Sequence, residues 1–280
     1  MNSLLGIIAA TGAAISFGAA DFAGGLGSRR WSALGAATVV QLVSVPATLV
    51  VALVAGEAWS WQGVAIGLLA GLAAAVGLVA LYAALASGTM GLVAGIAGVT
   101  VAAVTLASDA FLLELVPSPL QIVGVVCAVA AGLLATRGGW IATSAIMLAA
   151  VAGVAFGANF VIFDRGAALA PAPMWMLFGS RVAAGALLGV RWLLAERARP
   201  LRFGPLLLSA GVLDSLANGL MIQAIILIPV GIAASVGAVT PPVVTMLLAH
   251  IVLGESLPAT GYLAFALATV GIILMLLGQQ

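Results

Sequence analysis

Long apolar runs, separated by short stretches that hold most of the polar residues, recur along the whole chain. Each run is about as long as the roughly 20 residues that a helix needs to cross the hydrocarbon core of a bilayer. Ten such runs fall at 4–26, 33–55, 63–86, 89–113, 118–136, 140–163, 174–195, 205–227, 229–253 and 258–278. They are too long for barrel strands and lack the alternation that such strands need. The pattern therefore predicts helices that span a membrane.

Composition narrows the class of protein further. Of the 280 residues, 64% are hydrophobic and 6% are charged, so the ten runs leave no room for a soluble domain. The sequence predicts an all-α polytopic membrane protein with ten transmembrane helices. It contains no lysine, which excludes a phosphate-binding loop of the G-x-x-x-x-G-K type and a retinal Schiff base. One histidine and one cysteine argue against a metal cluster. We expect no enzymatic activity, no catalytic residue, no metal and no cofactor.

The two halves of the chain resemble each other. A shift of 140 residues aligns GLVAGIAGVTVAAVT, which starts at Gly91, with GIAASVGAVTPPVVT, which starts at Gly231, and six of the fifteen positions are identical. Near the start of each half, FGAADF from Phe17 matches FGANF from Phe156. The similarity predicts two five-helix repeats, residues 1–138 and 139–280, which together form one membrane domain.

An odd number of spans in each repeat means that the second repeat crosses the membrane in the opposite sense to the first. In a ten-helix arrangement, six arginines fall on one face: Arg29, Arg30, Arg137, Arg197, Arg199 and Arg202. The positive-inside rule makes that face cytoplasmic and both termini non-cytoplasmic. Inverted repeats of this kind are typical of secondary transporters, which alternate access by rocking one half against the other around a central cavity.

Two tandem five-helix units, each with a small-residue helix, a V-T pair and an ending such as FLLELVPSP or IVLGESLPA, resemble the EamA branch of the drug/metabolite transporter superfamily. The resemblance covers essentially the whole chain. It implies a ten-helix inverted-repeat bundle around a central cavity, and a multi-pass exporter of amino acids, including aromatic ones, in a bacterial-type inner membrane.

Three functions remain open from the sequence. The first is alternating-access export of small organic solutes, with amino acids or related metabolites foremost. The second is export of multidrug or cationic compounds, and the third is a non-transport role as a membrane scaffold or sensor component. The expected partners are the lipid bilayer and a small-molecule substrate, without nucleic acid or an ATPase subunit. We expect a monomer, because one chain already holds both halves.

Ionisable side chains inside a membrane are costly unless they face protein or water, so each is a candidate site residue. Asp214 lies near the middle of the eighth run, and Asn218 follows one turn later on the face that carries Gly211 and Ser215. Asp214 either lines a cavity, where it attracts an ammonium group or carries a proton, or forms a structural hydrogen bond to a neighbouring helix.

Asp21 and Asn159 occupy nearly equivalent positions in the two repeats. Each is predicted either to point into the cavity or to have a structural role. For Asp21 the structural alternative is a carboxylate that reaches water or pairs with Arg29 or Arg30. For Asn159 it is a hydrogen bond between helices.

Arg181 lies one third of the way into the seventh run and needs a partner there. It either binds a substrate carboxylate or pairs with Asp164 or another acid. Tyr82, Gln223 and Gln41 are further candidates for the cavity wall.

Pro241 and Pro242 stand side by side within the ninth apolar run. Neither can donate a backbone hydrogen bond, so two carbonyls four residues earlier lose their usual partners. The nearby hydroxyls of Thr240 and Thr245 are candidates to satisfy those carbonyls. The pair predicts a kinked ninth helix beside a water-accessible cavity, where the kink either shapes the pore or acts as a hinge. The alternative is a kink that is merely tolerated.

Overall fold

The computed structural model describes residues 2–112, 118–137, 142–227 and 230–277, which form ten helices and contain no strand. The helices are α1 (Asn2–Arg30), α2 (Ala33–Val54), α3 (Trp61–Ser87), α4 (Met90–Leu112), α5 (Pro119–Arg137), α6 (Thr143–Leu169), α7 (Pro173–Ala195), α8 (Pro205–Leu227), α9 (Val230–Leu253) and α10 (Ala259–Leu277). The prediction of an all-helical chain is confirmed. The predicted boundary between residues 138 and 139 lies outside the described residues.

Six helices are long and apolar enough, over their described residues, to cross a membrane: α1, α2, α3, α6, α7 and α8. In α4, α9 and α10 the described apolar stretches are shorter. The chain is therefore a multi-pass membrane protein.

Two helices extend beyond the apolar runs that predicted them. α1 continues to Arg30, past the predicted end at residue 26, and α6 continues to Leu169, past residue 163. The end of α1 is held by Arg29, whose Nε donates to the carbonyl of Leu85 at 3.0 Å and whose Nη2 donates to that of Gly88 at 2.8 Å. Hydropathy does not reveal such tertiary bonds, which stabilise a polar final turn.

Helix contacts run mainly between the first five helices and the last five. α1 packs on α8 and α9, while α6 packs on α3 and α4. α2 contacts both α7 and α8, and α3 contacts α7. α5 packs on α10. The two halves therefore interlock across a broad surface.

Arginines gather at one end of the bundle, which we call the arginine-bearing face. There the Nη1 atom of Arg29, at the end of α1, forms a 2.7 Å salt bridge with Oε1 of Glu255, between α9 and α10. The Oε2 atom of Glu255 accepts from the backbone N–H of Met90, where α4 begins, at 3.1 Å. Arg30, Arg199 and Arg202 line one cavity at this same end.

Candidate functional site

Polar side chains converge inside the bundle where α1, α2, α3, α7 and α8 meet. We call them the central polar cluster, and its members are Asp21, Gln41, Ser44, Tyr82, Arg181, Asp214 and Asn218. Five helices contribute to it, so the cluster depends on the packing of the first half against the second.

Arg181 and Asp214 form an ion pair at the centre of the cluster. Nη2 of Arg181, on α7, lies 3.0 Å from Oδ2 of Asp214, on α8, and the two side chains are only 8% and 16% exposed. Buried charges are tolerated when they are paired and hydrogen-bonded. An acidic partner was one of the two alternatives for Arg181, and that acid is Asp214 rather than the suggested Asp164. Asp164 instead lies 3.5 Å from Nε of Arg165, near the end of α6.

An amide and a hydroxyl group lie near the Asp214 carboxylate. Nδ2 of Asn218 donates to the backbone carbonyl of Asp214 at 2.8 Å and lies 3.4 Å from Oδ1. The hydroxyl of Ser44, on α2, lies 3.5 Å from Oδ2 and donates to the carbonyl of Gly211 at 3.1 Å. The predicted α8 face of Asp214 and Asn218 is thus a connected hydrogen-bonded surface.

Asp21 brings a second carboxylate to the cluster. Its carboxyl group lies within electrostatic range of Asp214 and of Tyr82. The Tyr82 ring packs against Gly24, which is nearly one helical turn from Asp21 on α1. Pairing of Asp21 with Arg29 was wrong, because Arg29 is engaged by Glu255 and by carbonyls at the end of α3. The side chain of Asp21 is half-buried.

Two buried polar atoms of the cluster have no hydrogen-bond partner among the described residues. They are Oε1 of Gln41 and Nε of Arg181. α2 and α7 cross next to them, where a β-carbon on Gly185 would lie 3.8 Å from the backbone of Gln41. Buried polar atoms in proteins are almost always satisfied. The two unsatisfied atoms are carried by α2 and α7, which pack against each other.

The other candidates, Asn159 and Gln223, form none of the described contacts that define the cluster. Nδ2 of Asn159 donates to the carbonyl of Ala70 at 2.9 Å, so Asn159 bridges α6 and α3. Gln223 lies on the exposed side of α8. Within the described ranges no group of three histidine, cysteine or acidic side chains converges as a metal site would require.

Pro241 and Pro242 lie inside α9, and both are buried. The backbone of Pro241 lies against α1, because a β-carbon on Gly18 would come within 2.7 Å of the Pro241 carbonyl oxygen. Thr245 does not serve the carbonyls freed by the prolines, as the sequence suggested, since its hydroxyl donates to the carbonyl of Gly18 at 3.0 Å. Hinge motion at the pair stays a prediction.

Two cavities occur at the arginine-bearing face. One of about 140 Å³ lies beside His250 and Glu255. The other, of about 350 Å³, lies beside Arg30 and Arg202. Neither is lined by the central polar cluster. A central cavity therefore stays a prediction.

The sequence did not predict the role of Glu57, which binds the start of α7 at the opposite end of the bundle. Oε2 of Glu57, in the connection between α2 and α3, accepts from the backbone N–H of Met174 at 3.0 Å, and its backbone carbonyl accepts from Nε1 of Trp175 at 3.1 Å. Partial burial raises the pKa of Glu57, and backbone hydrogen bonds from Met174 and Trp175 oppose that shift. A carboxylate favours the N-terminal end of a helix. Hydropathy cannot show that Glu57 caps α7, because the two segments are far apart in the sequence.

Comparison with known proteins agrees with this architecture. Residues 143–277 match the model of the EamA-like transporter family, so the resemblance drawn from the sequence motifs is confirmed there. No curated protein matches the chain. A solved crystal structure of a protein that is 16% identical superposes with a TM-score of 0.64 and covers 98% of this chain and 94% of that chain. At this identity the likeness concerns the fold alone. The chain is thus a multi-pass membrane protein whose second half, α6 to α10, is similar to the EamA-like transporter family.

Proposed function

We propose that this chain is a secondary transporter that exports small organic solutes, amino acids foremost, by alternating access. Residues 1–138 and 139–280 are its two inverted five-helix repeats, and the substrate binds between them in a central cavity at the central polar cluster. The observation that carries the proposal is the buried Arg181–Asp214 pair, together with two unpartnered buried atoms, Nε of Arg181 and Oε1 of Gln41 on the contacting helix α2.

Equivalent close contacts in the two halves support the inverted repeat. A β-carbon on Gly71, in α3, would lie 2.8 Å from Cβ of Ala183, in α7. One on Gly211, in α8, would lie 2.7 Å from Cβ of Val43, in α2. A shift of 140 in residue number takes Gly71 to Gly211, and the same shift takes Val43 to Ala183. The same shift therefore relates both the sequences and the packing contacts.

A second pair of contacts follows the same rule. Gly18 of α1 approaches Val244 of α9, and a β-carbon there would lie 2.6 Å from Cβ of Val244. Gly157 of α6 approaches Val104 of α4 with the corresponding distance of 2.7 Å. A shift of 140 takes Val104 to Val244, and a shift of 139 takes Gly18 to Gly157. The shift of 140 also takes Gln41 to Arg181, so the unpartnered atoms belong to equivalent positions.

The chemistry of the cluster suits a zwitterion. A substrate carboxylate can accept a hydrogen bond from the free Nε of Arg181. A substrate ammonium can donate to the carboxyl group of Asp21 and to the side-chain Oε1 of Gln41. Binding takes place without disrupting the Asp214 pair, because Asp214 contacts a different nitrogen of the guanidinium. An amino acid carries both groups on adjacent atoms, which supports it as the substrate class.

The competing function is export of a cationic drug, and the two carboxylates Asp21 and Asp214 favour it. A cationic group cannot accept a hydrogen bond from Nε of Arg181, and the positive charge of the guanidinium repels it. The two functions therefore differ in their dependence on Arg181.

The site of action proposed here is a bacterial-type inner membrane, with the chain working as a monomer and without an ATPase subunit. The arginine-bearing face is cytoplasmic in this proposal, by the positive-inside rule, so both termini lie on the other side.

Purified protein in liposomes tests the function. Liposomes loaded with unlabelled amino acids are offered labelled amino acids, and parallel samples are offered a quaternary-ammonium dye. Saturable amino-acid flux without dye flux supports the proposal. Dye flux alone favours the cationic exporter, and the absence of saturable flux of either compound refutes both and leaves a scaffold or sensor role.

A further inference from the structure

The larger cavity at the arginine-bearing face is a second candidate binding site, remote from the central polar cluster. It encloses about 350 Å³ where α1 leads into α2 and where α7 leads into α8. Its charged and aromatic lining residues are Arg30, Trp31, Trp192, Glu196, Arg199 and Arg202. Both halves of the chain contribute to its walls.

Positive charge is in excess in this cavity. Arg30, Arg199 and Arg202 are exposed, and none of the three forms an ion pair within 4 Å with a residue that the structure describes. The carboxylate of Glu196 is already engaged, since its Oε2 accepts from the hydroxyl of Ser32 at 2.6 Å. Three free guanidinium groups around one space match the oxygens of a phosphate group, which arginine binds in bidentate geometry.

The surroundings of the cavity are those of a membrane interface. Trp31 and Trp192 line it, and tryptophan is enriched at the level of lipid headgroups. Trp31 is 37% exposed, and Phe203, which follows the lining residue Arg202 in sequence, is 52% exposed. Large exposed apolar groups next to free arginines suit a ligand that carries both a phosphate and an acyl chain.

We propose that this cavity binds the headgroup of an anionic phospholipid, with the phosphate on Arg30, Arg199 and Arg202 and the glycerol and upper acyl chain against Trp31 and the neighbouring apolar surface. Basic pockets between transmembrane helices are suited to such headgroups. The bound lipid joins the α1–α2 connection to the α7–α8 connection, and so it stabilises the contact between the two halves.

The test measures thermal unfolding and lipid binding of the full chain purified in detergent. Phosphatidylglycerol is added in one series, phosphatidylcholine in a second and inorganic phosphate in a third. We expect phosphatidylglycerol alone to raise the unfolding temperature, by about 3 °C or more near saturation. The variant R30Q/R199Q/R202Q should bind phosphatidylglycerol about 10- to 100-fold more weakly.

The matched control is R191Q/R197Q, which removes two exposed arginines that do not line the cavity. It should respond to phosphatidylglycerol as the unchanged protein does. Equal responses to the two lipids, or an undiminished response in the triple variant, would overturn the proposal. Stabilisation by inorganic phosphate equal to that by phosphatidylglycerol would assign the site to a soluble anion instead.

If the triple variant cannot be purified in folded form, fluorescence quenching replaces it. Phosphatidylglycerol brominated on its acyl chains should quench tryptophan emission of the unchanged protein more than brominated phosphatidylcholine does. Removing the two tryptophans of the cavity, with W31F/W192F, should abolish that difference. A difference that persists in W31F/W192F contradicts the proposed site.

Discussion

Single side chains inside the bundle are constrained most strongly by charge. Arg181 and Asp214 lie 3.0 Å apart and are nearly buried. Replacing one partner leaves the other as a buried charge without a counter-charge. Replacing both partners leaves no buried charge at all. The pair can therefore be separated experimentally into its structural and functional roles.

We expect R181Q and D214N each to lower the free energy of unfolding by about 3–5 kcal/mol. The double variant R181Q/D214N should recover most of that loss, because no buried charge remains uncompensated. Unfolding in denaturant, followed by tryptophan fluorescence in detergent, measures all three. Additive losses in the double variant would show that the two side chains do not act as a pair.

Sequence alone identified most members of the central polar cluster but not their partners. Intramembrane charges are few, so Asp21, Arg181 and Asp214 stand out. Which acid meets Arg181 depends on how α7 and α8 pack, and hydropathy carries no information on that. The alignment of the two halves held one further indication. A shift of 140 residues aligns Gln41 with Arg181, which favours Gln41 as a site residue.

At the scale of helices, close approach of α1 and α9 is the feature that links packing to the proline pair. Gly18 lies against the Pro241 carbonyl and Val244. The repeat predicted that the prolines belong to one half only, since Val101 and Ala102 occupy the equivalent positions. It did not predict that α1 is the neighbour of the pair, because that contact joins distant segments.

Substituting Gly18 tests this contact. A methyl group would come within 2.6 Å of Cβ of Val244, so we expect G18A to destabilise the protein by about 1–3 kcal/mol through overpacking. The control is G189A, since nothing lies within 4 Å of a β-carbon at Gly189. G189A should leave stability unchanged or raise it slightly. Equal thermal unfolding of the two variants would contradict the described contact.

The proline pair has a separate prediction. P241A restores a backbone donor to α9, so the unfolding temperature should rise or stay the same. If the break acts as a hinge, the maximal transport rate should fall while the apparent substrate affinity changes little. Initial rates of flux in liposomes at several substrate concentrations give both values. An unchanged maximal rate would favour a kink that is only tolerated.

At the scale of the whole molecule, the fold follows from the apolar runs and the placement of the arginines. Ten runs predicted ten helices, and these are present among the described residues. Helix ends were predicted less well, because tertiary bonds such as those of Arg29 extend α1 beyond its apolar run. The cavity between the α1–α2 and α7–α8 connections was not foreseen, since it depends on the meeting of two distant loops.

The proposed orientation in the membrane rests on the same arginines. If the arginine-bearing face is cytoplasmic, a C-terminal alkaline phosphatase fusion should be active and a C-terminal green fluorescent protein fusion should be dark. Matched expression of the two fusions, checked by immunoblot, is the control. A fluorescent C-terminal fusion with an inactive phosphatase would reverse the proposed orientation.

The central claim is that the cluster around Arg181 and Asp214 is the substrate site of a carrier, and counterflow in liposomes tests it most directly. With unlabelled amino acid inside, labelled amino acid should accumulate transiently in liposomes that hold the unchanged protein and in those that hold the surface control R191Q. In R181Q/D214N, which should remain folded, the initial rate should fall about 10- to 100-fold through the loss of charge-assisted hydrogen bonds. Counterflow of equal size in the folded double variant, or its absence in the unchanged protein, would contradict the claim.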